Sequence, residues 1–238
     1  AGQALRLYAE RFVLPVCEKR KNAVNILGAT PLDFSVNGQV QSIARRLTEG
    51  GFSVQSVWAM GSEIAAIDRA GEAEVNLVVS SVGLPAAEFL RERFGMPYVV
   101  GAPLGDTVSA LLLGALQKSI RTGENEILPA GMPDAPDTVI LGESVTSRSL
   151  AAALLLDYGL CAEVICPVEL PRELEGPFCR QIEDEQDLQA ALSGARRVIA
   201  DPLYRPIVPQ GAQFFPLPHE AYSGRIYRKQ IPNLVTPW

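Results

Sequence analysis

The most constraining feature of this sequence is a regular alternation of short apolar runs with amphipathic helix patterns. In the first half, strand-like runs occur at residues 24–27, 54–58, 75–79 and 98–100, and helix-like segments separate them. The run VNLVV at 75–79 is apolar almost throughout, as expected of a strand that is buried on both faces of a parallel sheet. Strands joined through helices by short connections predict parallel sheets with helices on both faces.

The second half repeats this order, with apolar runs at 138–141, 162–166, 197–200 and 213–215. When the halves are aligned in order, Gly28 corresponds to Gly142 and Ser80 to Asp201. We therefore predict an α/β fold of two tandem Rossmann-like domains with mainly parallel sheets. The predicted division is a leading helix at 1–22, a first domain at 23–122, a Gly-, Pro- and acid-rich linker at 123–136, and a second domain at 137–238.

Composition excludes several classes of protein. The chain is 47% hydrophobic and 20% charged over 238 residues, so it can bury a core without disulfides. Its formal net charge of −6 disfavours nucleic-acid binding through a general basic surface. No apolar run is long enough for a membrane-spanning helix, and no signal peptide is visible. Four cysteines do not make a disulfide scaffold, and we expect a cytoplasmic protein.

Familiar catalytic and cofactor motifs are also missing. A single histidine rules out His-rich metal sites and HExxH peptidases. The sequence contains no P-loop, no GxSxG elbow and no GxGxxG fingerprint. No self-contained catalytic set is visible, so the strand ends become the best guide to a site.

Ligands bind parallel sheets outside the carboxyl ends of the strands, often between two domains. The candidate loops are 28–37, 58–62, 80–84, 142–149 and 201–204. Within them, Asp33 either binds a ligand hydroxyl or caps its loop, with capping favoured. Segment 143–149 either holds an anion, with help from Arg148, or is an ordinary helix cap made by Ser144 or Ser147. His219, beside the polar and aromatic residues 222–225, is either a ligand-binding or a structural residue.

The cysteines give a weaker signal. Cys161 and Cys166 are five residues apart in a predicted strand and therefore point to opposite faces. Cys166 and Cys179 bracket a Pro-rich excursion and could meet. A four-thiolate iron–sulfur site needs Cys17 as well, so we favour ordinary thiols.

The order and spacing of several segments resemble the nitrogenase component 1 family. The matching segments are VNILG, GGFSVQSVW, GSEIAAIDRAGEAEVNLVVS and AEFLRERFGMPYV, all between residues 24 and 105. In the second half, DYGLCAEVIC, RVIADP and FPLPHEAYSG look like the third domain of the same subunits. The family includes the nitrogenase molybdenum–iron protein subunits, cofactor-assembly scaffold subunits and dark-operative protochlorophyllide and chlorophyllide reductases.

This resemblance implies subunits of three Rossmann-like domains around a cleft, paired into heterotetramers. They hold an iron–sulfur cluster or iron–sulfur-based cofactor, or bind a tetrapyrrole, and receive electrons from an ATP-dependent iron protein reductase. The chain matches the second and third domains only. We therefore expect no cluster bound to this chain alone, and a chain that folds without activity. We also expect an exposed apolar patch through which it forms a homodimer.

The family also suggests particular residues. Where the nitrogenase α subunit has a cofactor-binding cysteine after the strand matching VNLVV, this chain has Ser80. His219 is the closest match to a cofactor histidine that precedes Tyr-Ser-Gly, one residue out of register. We expect the loops 80–83, 142–149 and 219–222 to face a cleft that supports one-electron transfer to a cluster or substrate, or cofactor assembly. The candidate binding residues are Ser80, Ser81, Gly83, Ser144, Arg148, His219 and Tyr222.

Two other functions fit the same pattern. Tandem Rossmann-like domains also form non-enzymatic proteins that bind small molecules or metal chelates and close by hinge motion. A sugar-nucleotide enzyme of two Rossmann halves is the third interpretation, with His219 as its only imidazole base.

Overall fold

A computed structural model describes residues 1–16, 18–129, 136–224 and 226–235. Its ten strands form two five-stranded sheets in which every pairing between strands is parallel. The strands are β1 (Ala23–Leu27), β2 (Ser53–Val57), β3 (Val75–Val78), β4 (Tyr98–Val100), β5 (Glu126–Ile127), β6 (Thr138–Leu141), β7 (Ala162–Cys166), β8 (Cys179–Gln181), β9 (Arg197–Ala200) and β10 (Gln213–Pro216).

Helices connect these strands. They are α1 (Gly2–Phe12), α2 (Pro31–Phe34), α3 (Gln39–Glu49), α4 (Ile64–Asp68), α5 (Leu84–Phe94), α6 (Gly105–Thr122), α7 (Ser144–Tyr158), α8 (Glu185–Ala191) and α9 (Glu220–Ser223). No described helix is long and apolar enough to cross a membrane.

Four strands have the same order in the two sheets, and the fifth strand lies at opposite edges. The first has the order β2-β1-β3-β4-β5 and the second β8-β7-β6-β9-β10, so β1, β2, β3 and β4 correspond to β6, β7, β9 and β10. This order confirms the predicted α/β class and places Ser80 and Asp201 after equivalent strands. The order in which strands are added to each sheet reverses once: β2 and β3 lie on opposite sides of β1, and β7 and β9 lie on opposite sides of β6. Crevices for ligands open at such reversals, at the carboxyl ends of the strands.

Both faces of the second sheet are covered. Ile140 and Val164 belong to a core that extends continuously from the first sheet, whereas Val139 and Ile165 face a smaller separate core. Neighbouring residues of a strand point to opposite faces, so the alternation shows a sheet packed on both sides. α6 packs against α7 and joins the two sheets.

Two edge strands differ from the sequence expectation. β5 lies inside the segment predicted as a linker and pairs with β4, and the side chain of Leu128 after it is buried. β8 lies inside the Pro-rich excursion and pairs with β7. Strands of two and three residues show too little alternation to be recognised. The remainder of the predicted linker, 130–135, lies outside the described residues.

The ends of the chain also differ from the predicted division. The leading helix ends at Phe12 rather than near residue 22. The C-terminal segment leaves the second sheet and returns to the first unit, where the Asn37 side chain donates to the carbonyls of Ile231 and Pro232 at 3.2 and 3.0 Å. Val235 is buried in the shared core. The boundary at 137 precedes the second sheet, whereas the boundary at 122 leaves β5 outside the first unit, and neither boundary separates two independent sets of contacts.

Candidate functional site

Polar side chains from both sheets meet at the carboxyl ends of the strands. Asp33 follows β1, Ser80 follows β3, Glu143 follows β6, Asp201 follows β9 and His219 follows β10. All five are buried or nearly so. The strand-end positions named from the sequence are therefore brought together across the interface between the two sheets.

Asp33 is the centre of this group. Its Oδ2 accepts hydrogen bonds from the hydroxyls of Ser80 at 2.6 Å and Thr30 at 2.9 Å. Thr30 is the N-cap of α2 and accepts in turn from the backbone N–H of Asp33. Capping accounts for only part of its role, because the Asp33 carboxylate also joins the loops after β1 and β3. Its Oδ1 remains directed toward His219.

Glu143 caps α7 and links the two sheets. Its carboxylate accepts from the backbone N–H groups of Val145 and Thr146, at 3.1 and 2.9 Å, and from that of Ser81 at 2.9 Å. The Ser81 bond crosses from the second sheet to the first. Burial, together with the charge of Asp33, raises the pKa of Glu143 against the opposing effect of its backbone hydrogen bonds.

This geometry decides between the two alternatives given for segment 143–149. The N–H groups at the start of α7 are capped and hold no external anion, but the cap is the carboxylate of Glu143 rather than Ser144 or Ser147. Arg148 is not part of the crevice either, because its guanidinium donates to the carbonyls of Leu174 and Leu128. Arg148 therefore links the segment after β7 to the residue that follows β5 of the first sheet.

His219 is held in place by Asp201. The Asp201 Oδ2 accepts from the His219 backbone N–H and from the Ser223 hydroxyl, both at 2.7 Å. The His219 ring packs on Tyr222 with centroids 4.8 Å apart. Its Nε2 lies 3.9 Å from Asp33 Oδ1. Burial lowers the pKa of His219, and the charges of Asp33, Asp201 and Glu220 partly offset this effect.

A second contact joins α2 to α9 behind this group. The Ser35 hydroxyl donates to Glu220 Oε2 at 3.0 Å, and Glu220 also forms an ion pair with Arg228. The neighbouring Arg225 of the predicted polar loop lies outside the described residues. The Ser35–Glu220 hydrogen bond therefore helps to fix the position of Asp33 relative to His219.

A cavity of about 450 Å³ opens beside Asp33 and Glu143. Its described walls carry five carboxyl groups and no lysine, arginine or histidine side chain; the five are Asp33, Glu88, Glu143, Glu169 and Glu173. Burial and a hydrogen bond with Glu173 raise the pKa of Glu88. Apolar residues complete the wall, among them Val82 from the turn before α5, Leu84 from α5 and Val168 from the segment after β7.

The predicted site residues take different roles in this arrangement. Ser80 contacts Asp33, Ser81 lines the cavity, Ser144 donates to Glu143 at 3.3 Å, and Tyr222 packs on His219. Gly83 acts through its backbone, since a Cβ there would lie 2.8 Å from the carbonyl of Leu27. Glu143 and Asp201 were not among the predicted site residues, although Asp201 directly follows β9 and Glu143 is the second residue after β6.

No described cysteine lines the cavity. Cys166 and Cys179 are buried on the adjacent strands β7 and β8 and do meet. A hydrogen bond with Cys179, together with burial, raises the pKa of the Cys166 thiol. Cys17 lies outside the described residues. Within the described ranges, no three His, Cys, Asp or Glu side chains are placed to hold a metal ion.

The comparisons with a family model and with curated proteins point to the same family. Residues 3–143, more than half of the chain, match the model of nitrogenase component 1 type oxidoreductases. One subunit of the light-independent protochlorophyllide reductase of Prosthecochloris aestuarii is 35% identical over 97 residues, which are 40% of this chain and 18% of that protein. The corresponding subunit from Chlorobium luteolum is 36% identical over 114 residues, which are 47% of this chain and 22% of that protein.

Solved structures agree on the fold. The structure of nitrogenase Cp1 at pH 5 superposes with a TM-score of 0.62 at 13% identity, over 93% of this chain and 56% of that one. At this level of identity the likeness concerns the fold alone. The matched stretches span about a fifth of the curated relatives.

Proposed function

Since the chain belongs to the family of nitrogenase component 1 type oxidoreductases, we propose that it forms the substrate crevice of such a reductase subunit. In this proposal the cavity beside Asp33 and Glu143 holds part of an organic substrate, and Glu143 supplies a proton as the substrate is reduced. The observation that carries it is the position of two carboxyl groups, one from each sheet, on a single cavity at the strand reversals.

An iron–sulfur cluster does not fit this crevice. Clusters are held by thiolates, whereas the two described buried cysteines, Cys166 and Cys179, are hydrogen-bonded to each other and do not line the cavity. Ser80, at the position suggested for a cofactor cysteine, donates its hydroxyl to Asp33. An anionic cluster would also face several carboxyl groups at close range. We therefore assign no reaction step within this chain to a cluster.

The size and charge of the cavity limit the substrate. A volume of about 450 Å³ lies within the usual range of small-molecule pockets. Its apolar wall suits a conjugated ring system, while the carboxyl groups disfavour a substrate anion at this point. We infer that the enclosed portion of the substrate is uncharged or positively charged.

The chemistry requires electrons from outside the chain. Reduction of one carbon–carbon double bond consumes two electrons and two protons. We propose that a one-electron iron protein reductase, acting with a paired homologous subunit, supplies the electrons. We propose that Glu143, which lines the cavity and whose pKa is raised by burial, supplies one of the two protons and that solvent supplies the other.

Protochlorophyllide is a suitable probe, since the curated relatives are named for its reduction. It carries a carboxylate, which its methyl ester lacks. We expect the full-length protein to bind the ester more tightly than the free acid, as followed by pigment absorption under anaerobic conditions. With a reduced viologen as one-electron donor, Glu143→Gln should slow single-turnover reduction by ~10²-fold or more.

The matched control is Glu169→Gln, which neutralises an exposed carboxyl group on the same cavity. It should leave the reduction rate nearly unchanged. Binding without reduction in every variant would favour a non-enzymatic binding protein. Equal rates for Glu143→Gln and wild type would exclude Glu143 as the proton donor.

A further inference from the structure

The contacts of the only histidine point to a defined chemical form. The His219 Nδ1 accepts a hydrogen bond from the backbone N–H of Ala221 at 3.3 Å, as the N-cap of α9. A ring nitrogen that accepts carries no proton, so the neutral ring holds its hydrogen on Nε2. That nitrogen faces Asp33 Oδ1 at 3.9 Å.

The position of the ring is set by groups outside the pair. Asp201 holds the His219 backbone, and Tyr222 packs against the ring face. On the other side, Ser80 and Thr30 both donate to Asp33 Oδ2, which leaves Oδ1 for His219 and the cavity. The charged groups that face the ring are Asp33 from α2, Asp201 from the loop after β9 and Glu220 from α9 itself.

We propose that His219 is a positioning residue that holds the Asp33 carboxylate in the cavity wall through its Nε2–H, and that it binds no metal. This inference rests on the proposed function for its consequence in catalysis, but the contact itself exists independently of any substrate. At 3.9 Å the two atoms are within ion-pair range and beyond a direct hydrogen bond. Their interaction is therefore mainly one between the carboxylate charge and the N–H dipole.

Nuclear magnetic resonance can test the contact directly, because an untagged chain has one histidine and hence one set of imidazole signals. Long-range proton–nitrogen spectra should show the hydrogen on Nε2 in the neutral form. Asp33→Asn removes a negative charge and should lower the titration midpoint of His219 by about one pH unit. The control Glu88→Gln changes a cavity carboxyl group that does not face His219, and it should leave the midpoint in place.

Three outcomes would overturn the proposal. The first is a neutral ring with its hydrogen on Nδ1, the second is an Asp33→Asn shift no larger than that of Glu88→Gln, and the third is a specific response of the imidazole signals to Fe²⁺. Fe²⁺ alone should leave the imidazole signals unchanged, and specific loss or displacement of them would identify a metal ligand instead. These results decide the inference even if protochlorophyllide fails to bind and the proposed function is wrong.

A pair of variants tests the consequence for catalysis. The side-chain amide of Gln reaches the position of Nε2, whereas the shorter Asn can replace only the Nδ1 cap. If His219 acts through Asp33, His219→Gln should keep the single-turnover rate within about threefold, and His219→Asn should lose ~10-fold or more. A role limited to capping α9 predicts the reverse order.

Discussion

At the residue scale, a single carboxylate connects three separate loops. Asp33 receives the Ser80 and Thr30 hydroxyl hydrogens on one oxygen and faces His219 with the other. Burial of a carboxylate without such donors would destabilise the folded state by several kcal/mol. Each donor therefore contributes more to stability than an ordinary surface hydrogen bond does. The stability of the crevice should therefore depend measurably on one hydroxyl group.

Ser80→Ala should lower the free energy of unfolding by about 1.5–3 kcal/mol, the range for a lost hydrogen bond to a charged group. The change removes only the hydroxyl oxygen and therefore leaves the backbone and the packing nearly intact. Because Ser80 is fully buried, water cannot replace the lost donor. Urea denaturation followed by circular dichroism would measure the loss.

Ser119→Ala is the matched control for this change. Ser119 is equally buried in α6, but its hydroxyl has no hydrogen-bond partner in the described part of the chain. Removing an unsatisfied hydroxyl from a helix, and gaining alanine's helix propensity, should leave stability equal or higher. Equal losses for both variants would contradict the role assigned to Asp33.

Glu143 should give the protein a characteristic dependence on pH. Its pKa is raised above the ordinary value of 4.5, so the folded protein holds this proton more tightly than the unfolded chain does. The stabilisation that comes from this bound proton is fully present below pH 4.5 and is lost as pH rises through the pKa of Glu143 in the folded protein. Glu143→Gln has no proton to lose, so its unfolding free energy should fall less than that of wild type as pH rises from about 4.5 to about 7.

Urea titrations at several pH values would measure this difference. Glu169→Gln, at an exposed position of the same cavity, should follow the wild-type curve. Superimposable curves for wild type and Glu143→Gln would show that burial of this carboxyl group carries no net cost.

These residues show how far sequence reasoning could identify the site. The strand-end rule named the loops of Asp33, Ser80 and Glu143, and the fold brings these loops together. It could not assign their partners, because Glu143 caps the helix N-terminus for which Ser144, Ser147 or an external anion had been considered. Asp201 was aligned with Ser80, yet its contact with His219 links residues 18 positions apart that only the fold brings together.

At the element scale, the crevice depends on a close approach between the turns after β1 and β3. Gly28 has a φ of 86°, and a Cβ there would lie 2.8 Å from the Ser80 carbonyl. Gly83 packs equally close to Leu27 from the other turn. These two glycines allow the loops of Asp33 and Ser80 to touch.

Gly83→Ala should therefore destabilise the protein by about 1–3 kcal/mol, the usual cost of overpacking, because the obstructing atoms belong to the β1 backbone. Gly114→Ala provides the control. Gly114 lies within α6, and a Cβ there meets nothing within 4 Å. It should raise stability by roughly 0.5–1 kcal/mol through helix propensity.

Thermal unfolding of the two variants would measure both effects. Stabilisation by Gly83→Ala would show that the two turns can separate without cost.

The major strands and helices were predictable because each carries enough residues to show a period, whereas β5 and β8 depend on pairing with a neighbour that is distant in sequence.

At the scale of the whole molecule, the contacts favour one cooperative unit over two separate domains. The main core runs from the first sheet into the second, and Val235 returns from the C-terminal segment to join it. The Glu143–Ser81 bond adds a polar link between the sheets. The sequence indicated two domains because its repeat is clear, but a repeat carries no information on how the two halves pack.

Separate probes for each half can test this cooperativity. Trp58 is fully buried in the first unit, and its fluorescence reports on that unit when Trp238 is replaced by Phe. The buried thiols of Cys166 and Cys179 report on the second unit when Cys17 and Cys161 are replaced by Ser. We expect both probes to give the same urea midpoint, as one cooperative transition requires.

Val235→Asp should move both midpoints to lower urea together, because it places a charge in the core that the two halves share. Val36→Asp is the control, since Val36 is 74% exposed and its substitution should leave both midpoints nearly unchanged. If Val235→Asp lowered only the Trp58 midpoint, the two sheets would unfold independently. The crevice between them would then be able to open without loss of either fold, which is the behaviour that a hinge-closing binding protein needs.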